Sequence, residues 1–170
     1  MLLILPTDTL FGIFSFFSDV NLEKIFILKL RVKEKKLCKY MTLSLFKKEY
    51  KTSLDASILN YILRNYSKKT FLIPTSKSCE YTTNQGYEGI RIINIGIFKK
   101  LCKTRPLYGT SANISGDQNN SYSQIKSKFK FFFKSIIKKI KFSKLPTLVH
   151  STIEKLSLEN NKLIINTIRD

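Results

Sequence analysis

The 170-residue sequence has no tryptophan, a single histidine (His150) and three widely spaced cysteines, Cys38, Cys79 and Cys102. No C-x-x-C pair or Cys/His spacing is present, which excludes the usual zinc patterns and a thiol nucleophile paired with imidazole. The sequence therefore predicts no structural metal. The cysteines are expected to be free thiols in a reducing compartment.

Long apolar runs are also absent. A membrane-spanning helix needs about 20 consecutive apolar residues, and no segment reaches that length. The apolar start is interrupted by Pro6-Thr7-Asp8-Thr9 and lacks both a basic beginning and a small-residue cleavage site, so it does not fit a signal peptide. We expect a cytoplasmic protein with no membrane partner.

Acidic residues are scarce, with 12 Asp and Glu against 30 Lys and Arg, for a net charge of +18. Such an excess favours a polyanionic partner such as RNA or a nucleotide. Because 25 of the basic residues are lysine and only 5 are arginine, compositional drift in an AT-biased gene explains the excess equally well. The few arginines carry more information, since their planar fork matches phosphate and carboxylate.

What is present suits one globular domain over residues 1–170, because 43% of the residues are hydrophobic. Apolar spacing predicts helices over residues 21–31, 53–65, 95–102 and 121–133. Strands are predicted over residues 2–5, 40–46, 70–74, 89–93, 106–110, 147–153 and 162–168, with a loop over residues 6–12. Strands and helices alternate irregularly, which favours a mixed sheet in an α/β or α+β domain.

Four short segments stand out, although each has an ordinary explanation. Pro6-Thr7-Asp8-Thr9-Leu10-Phe11-Gly12 could be a simple turn, and Lys29-x-Arg31 could merely complement a helix dipole. Gly89-Ile90-Arg91-Ile92 could be a strand with one arginine. Thr110-Ser111-Ala112-Asn113-Ile114-Ser115-Gly116 could be a polar loop.

Together and in this order, these segments resemble the YrdC/TsaC family of threonylcarbamoyl-AMP synthases. Near the end of the chain, Ser151-Thr152-Ile153 and Ile168-Arg169 extend the resemblance. It implies a twisted, open, mixed sheet of the α/β (α+β-like) class, with flanking helices and a concave basic face.

The resemblance also implies an activity. Such nucleotidyltransferases combine L-threonine, bicarbonate and ATP into L-threonylcarbamoyladenylate and release pyrophosphate, with Mg²⁺ accompanying the ATP. The threonylcarbamoyl group then passes, through partner subunits of a transferase complex, to an adenosine of tRNA. A tRNA or RNA surface is therefore expected among the partners.

Site residues follow from the same resemblance. Lys29 and Arg31 are expected to clamp the phosphates and serve catalysis, because positioning and charge stabilisation replace a protein nucleophile in this chemistry. The other nucleotide contacts are expected at Lys35, Asn113, Ser121 and Arg169. The threonine contacts are expected at Thr9, Arg91, Ser111 and Ser151. Asp8 is a weaker candidate for a magnesium ligand.

Other functions remain open at this point. The same fold could be a non-catalytic module that binds double-stranded RNA or tRNA, recognised by salt-sensitive binding without ATP turnover. A related carbamoyl-adenylate chemistry occurs in hydrogenase-maturation proteins, and a basic ribosome-associated protein is a further alternative. Neither of the last two accounts for the whole ordered set of motifs in a short chain.

Overall fold

The computed structural model describes residues 1–112, 146–147 and 149–169. In this part of the chain the strands are β1 (Leu3–Pro6), β2 (Phe11–Ser15), β3 (Cys38–Met41), β4 (Lys69–Pro74), β5 (Thr83–Asn84), β6 (Tyr87–Ile92), β7 (Leu107–Ser111), β8 (Thr152–Glu159) and β9 (Lys162–Arg169). The helices are α1 (Asp19–Lys29), α2 (Leu43–Tyr50), α3 (Ala56–Asn65) and α4 (Gly96–Leu101). The helix predicted over residues 121–133 lies outside the described residues.

All the described strands belong to one sheet, in the order β1-β2-β7-β3-β6-β4-β8-β9, with the short β5 paired to β6 beside this path. The β3–β6 and β4–β8 pairs are parallel, and the other neighbours are antiparallel. The predicted mixed, open sheet with flanking helices is therefore confirmed. Its twist follows from the chirality of L-residues, which rotates each strand against the next.

The two faces of the sheet differ in what covers them. Successive strand residues point to opposite faces, so Ile90 and Ile92 share one face while Gly89 and Arg91 share the other. Ile90 packs in a buried cluster with Phe71 and with apolar residues of α2 and α3. Full burial of each such side chain stabilises the fold by about 1.5–3 kcal/mol. These helices fix which face of β6 is covered, and thereby present Arg91 on the opposite face.

Helix α1 covers a second cluster. Leu22, Ile25 and Phe26 have the i, i+3, i+4 spacing of one helical face, and they pack with Ile4 and Ile13 of β1 and β2. Lys29, seven residues after Leu22, continues the same face and is 1% exposed. The helix ends at Leu30, which adopts a left-handed conformation with φ of 49°. The helical spacing therefore carries a lysine into the interior.

The prediction of a strand over residues 40–46 was correct only at its first two residues. Strand β3 ends at Met41, and Thr42 caps α2 by accepting a hydrogen bond from the amide of Leu45 at 3.3 Å. A threonine hydroxyl at this position satisfies an amide that has no partner within the helix. The apolar residues Leu45 and Phe46, which were predicted to lie in a strand, occupy the buried face of α2 instead.

The prediction of a strand over residues 147–153 was also mostly wrong, because β8 begins only at Thr152. It extends through a polar stretch to Glu159 by pairing with β9 across a two-residue turn. Asn160 and Asn161 in that turn have φ values of 50° and 61°. Two consecutive positive φ angles characterise the tight hairpin turn that asparagine tolerates well. Pairing with β9 in this hairpin therefore stabilises β8, whose own sequence does not show a clear strand pattern.

The loop predicted over residues 6–12 is shorter than expected. Pro6 belongs to β1, and the chain turns back as β2 from Phe11, where Leu5 pairs with Gly12. The amide of Thr7 donates to the carbonyl of Leu10 at 2.9 Å and closes the turn. A single Pro-Thr-Asp-Thr turn therefore joins the edge strand β1 to its neighbour β2. In the described part of the chain, no helix is both long and apolar enough to cross a lipid bilayer.

Candidate functional site

A cavity of about 450 Å³ lies on the face of the sheet that carries Gly89 and Arg91. Its floor is formed by β3, β6, β7 and β4, and the first turn and the β8–β9 hairpin contribute to its walls. Six of the predicted site residues line it: Thr9, Arg31, Arg91, Ser111, Ser151 and Arg169. The fold thus brings together residues from both ends of the chain.

The other predicted residues do not all reach this cavity. Lys29 and Lys35 are absent from its lining, and the side chain of Lys35 is exposed. Asn113 and Ser121 lie outside the described residues, so their expected nucleotide contacts stay predictions. The roles of the residues that do line the cavity also stay predictions.

The first turn is rigid because the Thr7 hydroxyl organises it. Its Oγ1 accepts hydrogen bonds from the amides of Thr9 and Leu10 at 3.1 and 3.0 Å, and donates to the Leu10 carbonyl at 2.6 Å. Such a local side-chain bond fixes a turn that the backbone alone would leave mobile. As a result, Thr9 is held in the cavity lining and Asp8 is held against Arg91.

Arg91 is the most enclosed cation of the cavity, with 2% of its surface exposed. Its Nη2 donates to Oδ1 of Asp8 at 2.6 Å and to Oγ1 of Thr9 at 3.1 Å, and its Nη1 donates to Oγ1 of Thr70 at 3.3 Å. A charge-assisted bond of this length is among the stronger hydrogen bonds in proteins. Asp8 therefore acts here as the counter-ion of Arg91, a role that differs from the magnesium ligand considered above.

The hydroxyl of Thr70 continues the network toward the end of the chain. It lies 3.1 Å from Oγ of Ser151, and Arg169 donates from Nε and Nη2 to the Ser151 carbonyl at 3.2 and 3.0 Å. Burial lowers the pKa of Arg169, and the neighbouring Arg91 adds to that effect. Two arginines are thus coupled through two hydroxyl groups across the floor.

Lys29 and Arg31 both donate hydrogen bonds to backbone carbonyl oxygens. The Lys29 ammonium donates to the backbone carbonyl of Ser111. Arg31 donates from Nε to the carbonyl of Lys35 at 2.5 Å and from Nη2 to that of Lys36 at 2.9 Å. Burial, and then the charge of Arg31, lower the pKa of Lys29 to about 7. Both cations therefore organise the backbone around the cavity, and Arg31 alone of the two lines it.

The cavity as a whole is electropositive. The charged groups in its lining are Arg31, Lys36, Arg91, Lys155, Arg169 and one carboxylate, Glu34. Burial, followed by the nearby Arg169, lowers the pKa of His150 at the same rim. Burial also raises the pKa of the Cys38 thiol in the floor to about 12, so this thiol stays protonated and is a poor nucleophile. The arrangement suits an anionic ligand and gives no support to covalent thiol chemistry.

Strand periodicity could have found several lining residues that the sequence analysis missed. Tyr87 and Gly89 precede Arg91 at intervals of two, so they share its face. Asp8 was visible in the sequence, but only the tertiary structure pairs it with Arg91. Among residues 1–112, 146–147 and 149–169, no group of three or more His, Cys, Asp or Glu side chains could hold a metal ion.

Comparisons with solved structures agree with this architecture. The chain is 22% identical to P. abyssi Sua5 complexed with L-threonine, with a TM-score of 0.72, covering 91% of this chain and 47% of that one. MTH1692 from Methanobacterium thermoautotrophicum is 20% identical, with a TM-score of 0.72 and coverages of 99% and 79%. E. coli YciO is 15% identical, with a TM-score of 0.70 and coverages of 99% and 84%. At these identities the likeness concerns the fold.

The chain spans about half the length of the P. abyssi Sua5 structures. No curated protein sequence matches it significantly. The family model Sua5_yciO_yrdC, described as "Telomere recombination", matches residues 1–167. That match covers nearly the whole sequence, and the sheet agrees with the fold of the similar solved structures. The chain belongs to the Sua5/YciO/YrdC family.

Proposed function

We propose that this cavity binds L-threonine, bicarbonate and MgATP and forms L-threonylcarbamoyladenylate, pyrophosphate and water. The observation that supports this most directly is the set of three arginines, Arg31, Arg91 and Arg169, around one cavity of about 450 Å³. The family includes a Sua5 whose structure holds L-threonine, which supports an amino-acid substrate. Mg²⁺ enters the proposal as part of the nucleotide substrate.

The chemistry requires charge stabilisation more than a protein nucleophile. The amine of threonine attacks the carbon of bicarbonate, and a carbon–oxygen bond of bicarbonate breaks to release water and leave a carbamate. An oxygen of that carbamate attacks the α-phosphorus of ATP, and the bond to the β-phosphate oxygen breaks to release pyrophosphate. Carbamate, carboxylate and phosphates then meet in one place, so fixed cations lower the barrier by stabilising the developing charge.

The described residues divide this work by position. Arg91 donates one nitrogen to Asp8, so its positive charge is partly neutralised. The remaining charge is enough to bind the single carboxylate of threonine, next to the hydroxyl groups of Thr9 and Thr70. Arg169 approaches from β9 and faces the cavity beside Ser151, where it suits the phosphates. Lys29 acts through the Ser111 carbonyl, and so holds the end of β7 in place. The adenylate product would pass to the transferase complex that modifies tRNA.

Pyrophosphate release tests the proposal. Purified protein is incubated with MgATP in bicarbonate buffer, with and without L-threonine. Release is expected to require both threonine and bicarbonate, and Arg169→Gln is expected to lower its rate about 100-fold by removing charge stabilisation. Arg64→Gln is the matched control, because Arg64 is exposed in α3, outside the cavity lining, and should leave the rate unchanged.

A second candidate is RNA binding without catalysis, favoured by another surface. A cleft between α2 and α4 is lined by Lys47, Lys99 and Lys103, together with Thr42, Leu43, Ser44 and Asn94. Lysines grouped in this way attract phosphate backbones and release counterions on binding. Strongly salt-dependent tRNA binding that is weakened in a Lys99→Gln/Lys103→Gln variant, without pyrophosphate release, would favour this function over the synthase.

A further inference from the structure

Helix α1 is apolar on its outer side as well as on its inner side. The inner side packs through Leu22, Ile25 and Phe26 in the second cluster. The outer side carries Val20 and Ile27, which are seven residues apart and therefore lie on one face of the helix. Their exposed fractions are 61% and 66%. A helix on the surface of a globular protein ordinarily presents polar residues to solvent, so this outer face is unusual.

Exposed apolar residues continue beyond both ends of this helix. Phe17, just before the N-cap, is 53% exposed, and Leu30, just after the last turn, is 77% exposed. We name Phe17, Val20, Ile27 and Leu30 the outer stripe. In the part of the chain that the structure describes, half of the large exposed apolar side chains fall within residues 17–32. Single exposed apolar residues need no explanation, but a group of them marks an interaction surface.

The outer stripe is symmetric about one point of the sequence, between residues 23 and 24. Val20 and Ile27 lie at equal distances from that point, and so do Phe17 and Leu30. A second copy of α1 that crosses this point in antiparallel orientation therefore places Val20 opposite Ile27 and Phe17 opposite Leu30. Because a two-fold axis repeats every contact, these two pairs supply four apolar contacts. The apolar pattern thus fits a second copy of the same helix.

The charges on α1 fit the same arrangement. Antiparallel pairing places Glu23 opposite Lys24 of the second copy, and the axis generates a second such pair. Both side chains are exposed, and neither forms an ion pair with another described residue. With Asp19, the exposed side of α1 carries two carboxylates and one ammonium, whereas the whole chain has a net charge of +18. Two strongly basic chains therefore repel each other less at this surface.

We propose that α1 forms the interface of a symmetric homodimer, in which the outer stripes of two chains pack against each other in antiparallel orientation. An apolar centre with charged residues beside it is the usual composition of such an interface. A standard interface buries about 800 Å² on each partner, and one helix with its flanking residues offers less, so the dimer is weak and reversible. No residue of the outer stripe lines the cavity, so the dimer and the proposed reaction can be tested separately.

Sedimentation velocity of the full chain tests the dimer. The wild-type protein is measured from about 5 to 500 µM, a range that covers weak association, at 0.15 M salt to screen the net charge. Its sedimentation coefficient should rise from that of a monomer to that of a dimer. Val20→Asp buries a carboxylate opposite Ile27 twice in each dimer, and should raise the Kd at least tenfold. Val149→Asp is the matched control, because Val149 is 63% exposed and lies outside α1, and it should leave the Kd unchanged.

Reversal of charge tests the antiparallel arrangement. Glu23→Lys and Lys24→Glu each bring like charges together twice, so each should raise the Kd about threefold to tenfold. The double variant Glu23→Lys/Lys24→Glu restores both ion pairs in the opposite sense and keeps the net charge of the chain. Its Kd should return to within about twofold of the wild-type value, since the two positions are coupled only across the interface.

Three results would overturn the inference. The first is a wild-type protein that sediments as a monomer over the whole range of concentrations, which requires no variant to fold. The second is a dimer whose Kd changes equally in Val20→Asp and Val149→Asp, because the interface would then lie away from α1. The third is a double charge variant that dimerises as weakly as the two single variants, because Glu23 would then not face Lys24 of the second copy.

Discussion

Asp8 and Arg91 form the ion pair on which the cavity floor depends. The Asp8 carboxylate also accepts the amide of Lys68 at 3.1 Å, so it links the first turn to the start of β4 as well as to β6. An arginine that is 2% exposed cannot recover its hydration if this partner is lost. At the scale of single residues, the position of Arg91 therefore depends on a carboxylate 83 residues away.

Replacing that carboxylate should destabilise the protein. We expect Asp8→Asn to lower the free energy of unfolding by about 1–3 kcal/mol, less than for a fully buried pair because the Asp8 side chain is 28% exposed. Urea denaturation measures the change. Glu80→Gln is the control, because it breaks an exposed ion pair with Lys33 and should cause no measurable loss. Equal effects of the two substitutions would contradict the prediction.

Lys29 should make stability depend on pH. Its pKa is lowered to about 7, first by burial and then by Arg31, whereas an unfolded lysine titrates near 10.5. Between these values the unfolded chain binds more protons at this position than the folded chain does, so stability rises with pH. From pH 7 to pH 9 we expect this group to add about 2 kcal/mol to the free energy of unfolding.

Comparison with Lys29→Met isolates this contribution. Other groups titrate in both proteins, so the difference between their unfolding free energies at pH 7, 8 and 9 reports Lys29 alone. The rise should be present in the wild type and reduced in the variant. The prediction would be contradicted if the unfolding free energies of the two proteins changed with pH by the same amount. The Lys29 ammonium would then be charged at neutral pH, as that of an exposed lysine is.

At the scale of single elements, the helices differ in whether an N-cap side chain bonds to a free backbone amide of the first turn. Asp55 caps α3, since its Oδ1 accepts the Ser57 amide at 2.7 Å. Ser18 occupies the same position at α1 in extended backbone, but its side chain makes no capping hydrogen bond. The type of residue at the N-cap alone therefore does not tell how much the cap stabilises its helix.

These two caps provide a matched pair. We expect Asp55→Ala to reduce the free energy of unfolding by about 1 kcal/mol, and Ser18→Ala to change it much less. Thermal and urea unfolding of both variants would measure the difference. A Ser18→Ala loss as large as that of Asp55→Ala would contradict the assigned cap geometry.

At the scale of the whole molecule, the arginines of one cavity come from a helix end, a central strand and the last strand. Holding like charges near one another opposes folding until an anion neutralises them. Ligand binding should therefore stabilise the entire fold, because the cavity exists only when all these strands are paired.

Pyrophosphate should reveal this coupling in a thermal unfolding experiment. At about one hundred times its Kd it would add about 2.7 kcal/mol and raise Tm by roughly 5–10 °C. Sodium chloride at equal ionic strength should have a much smaller effect, and Arg169→Gln should reduce the shift. An equal shift from chloride would mean that general screening, and not a built anion site, causes the stabilisation.

The amino-acid sequence by itself determined the family, the mixed open sheet and most individual elements. The first motif, the Lys29-x-Arg31 pair and the strand of Arg91 are local patterns, and local patterns depend on residues close in the chain. Helices near residues 21–31, 53–65 and 95–102 are confirmed because apolar spacing marks their buried faces. Strand β9 was also predicted, at residues 162–168, whereas the start of β8 was misplaced, since pairing with β4 and β9 decides where that strand begins more than its own composition does.

Only the tertiary structure decided what each site residue contacts. The fold brings Asp8 to Arg91, Thr70 to Ser151 and Lys29 to Ser111, over separations of 83, 81 and 82 residues. It also places Gly89 in the floor, where its missing side chain leaves room. The physical reason is that contacts across a sheet depend on which strands are neighbours and on their alignment, and a shift of β6 by one residue would turn Arg91 to the other face.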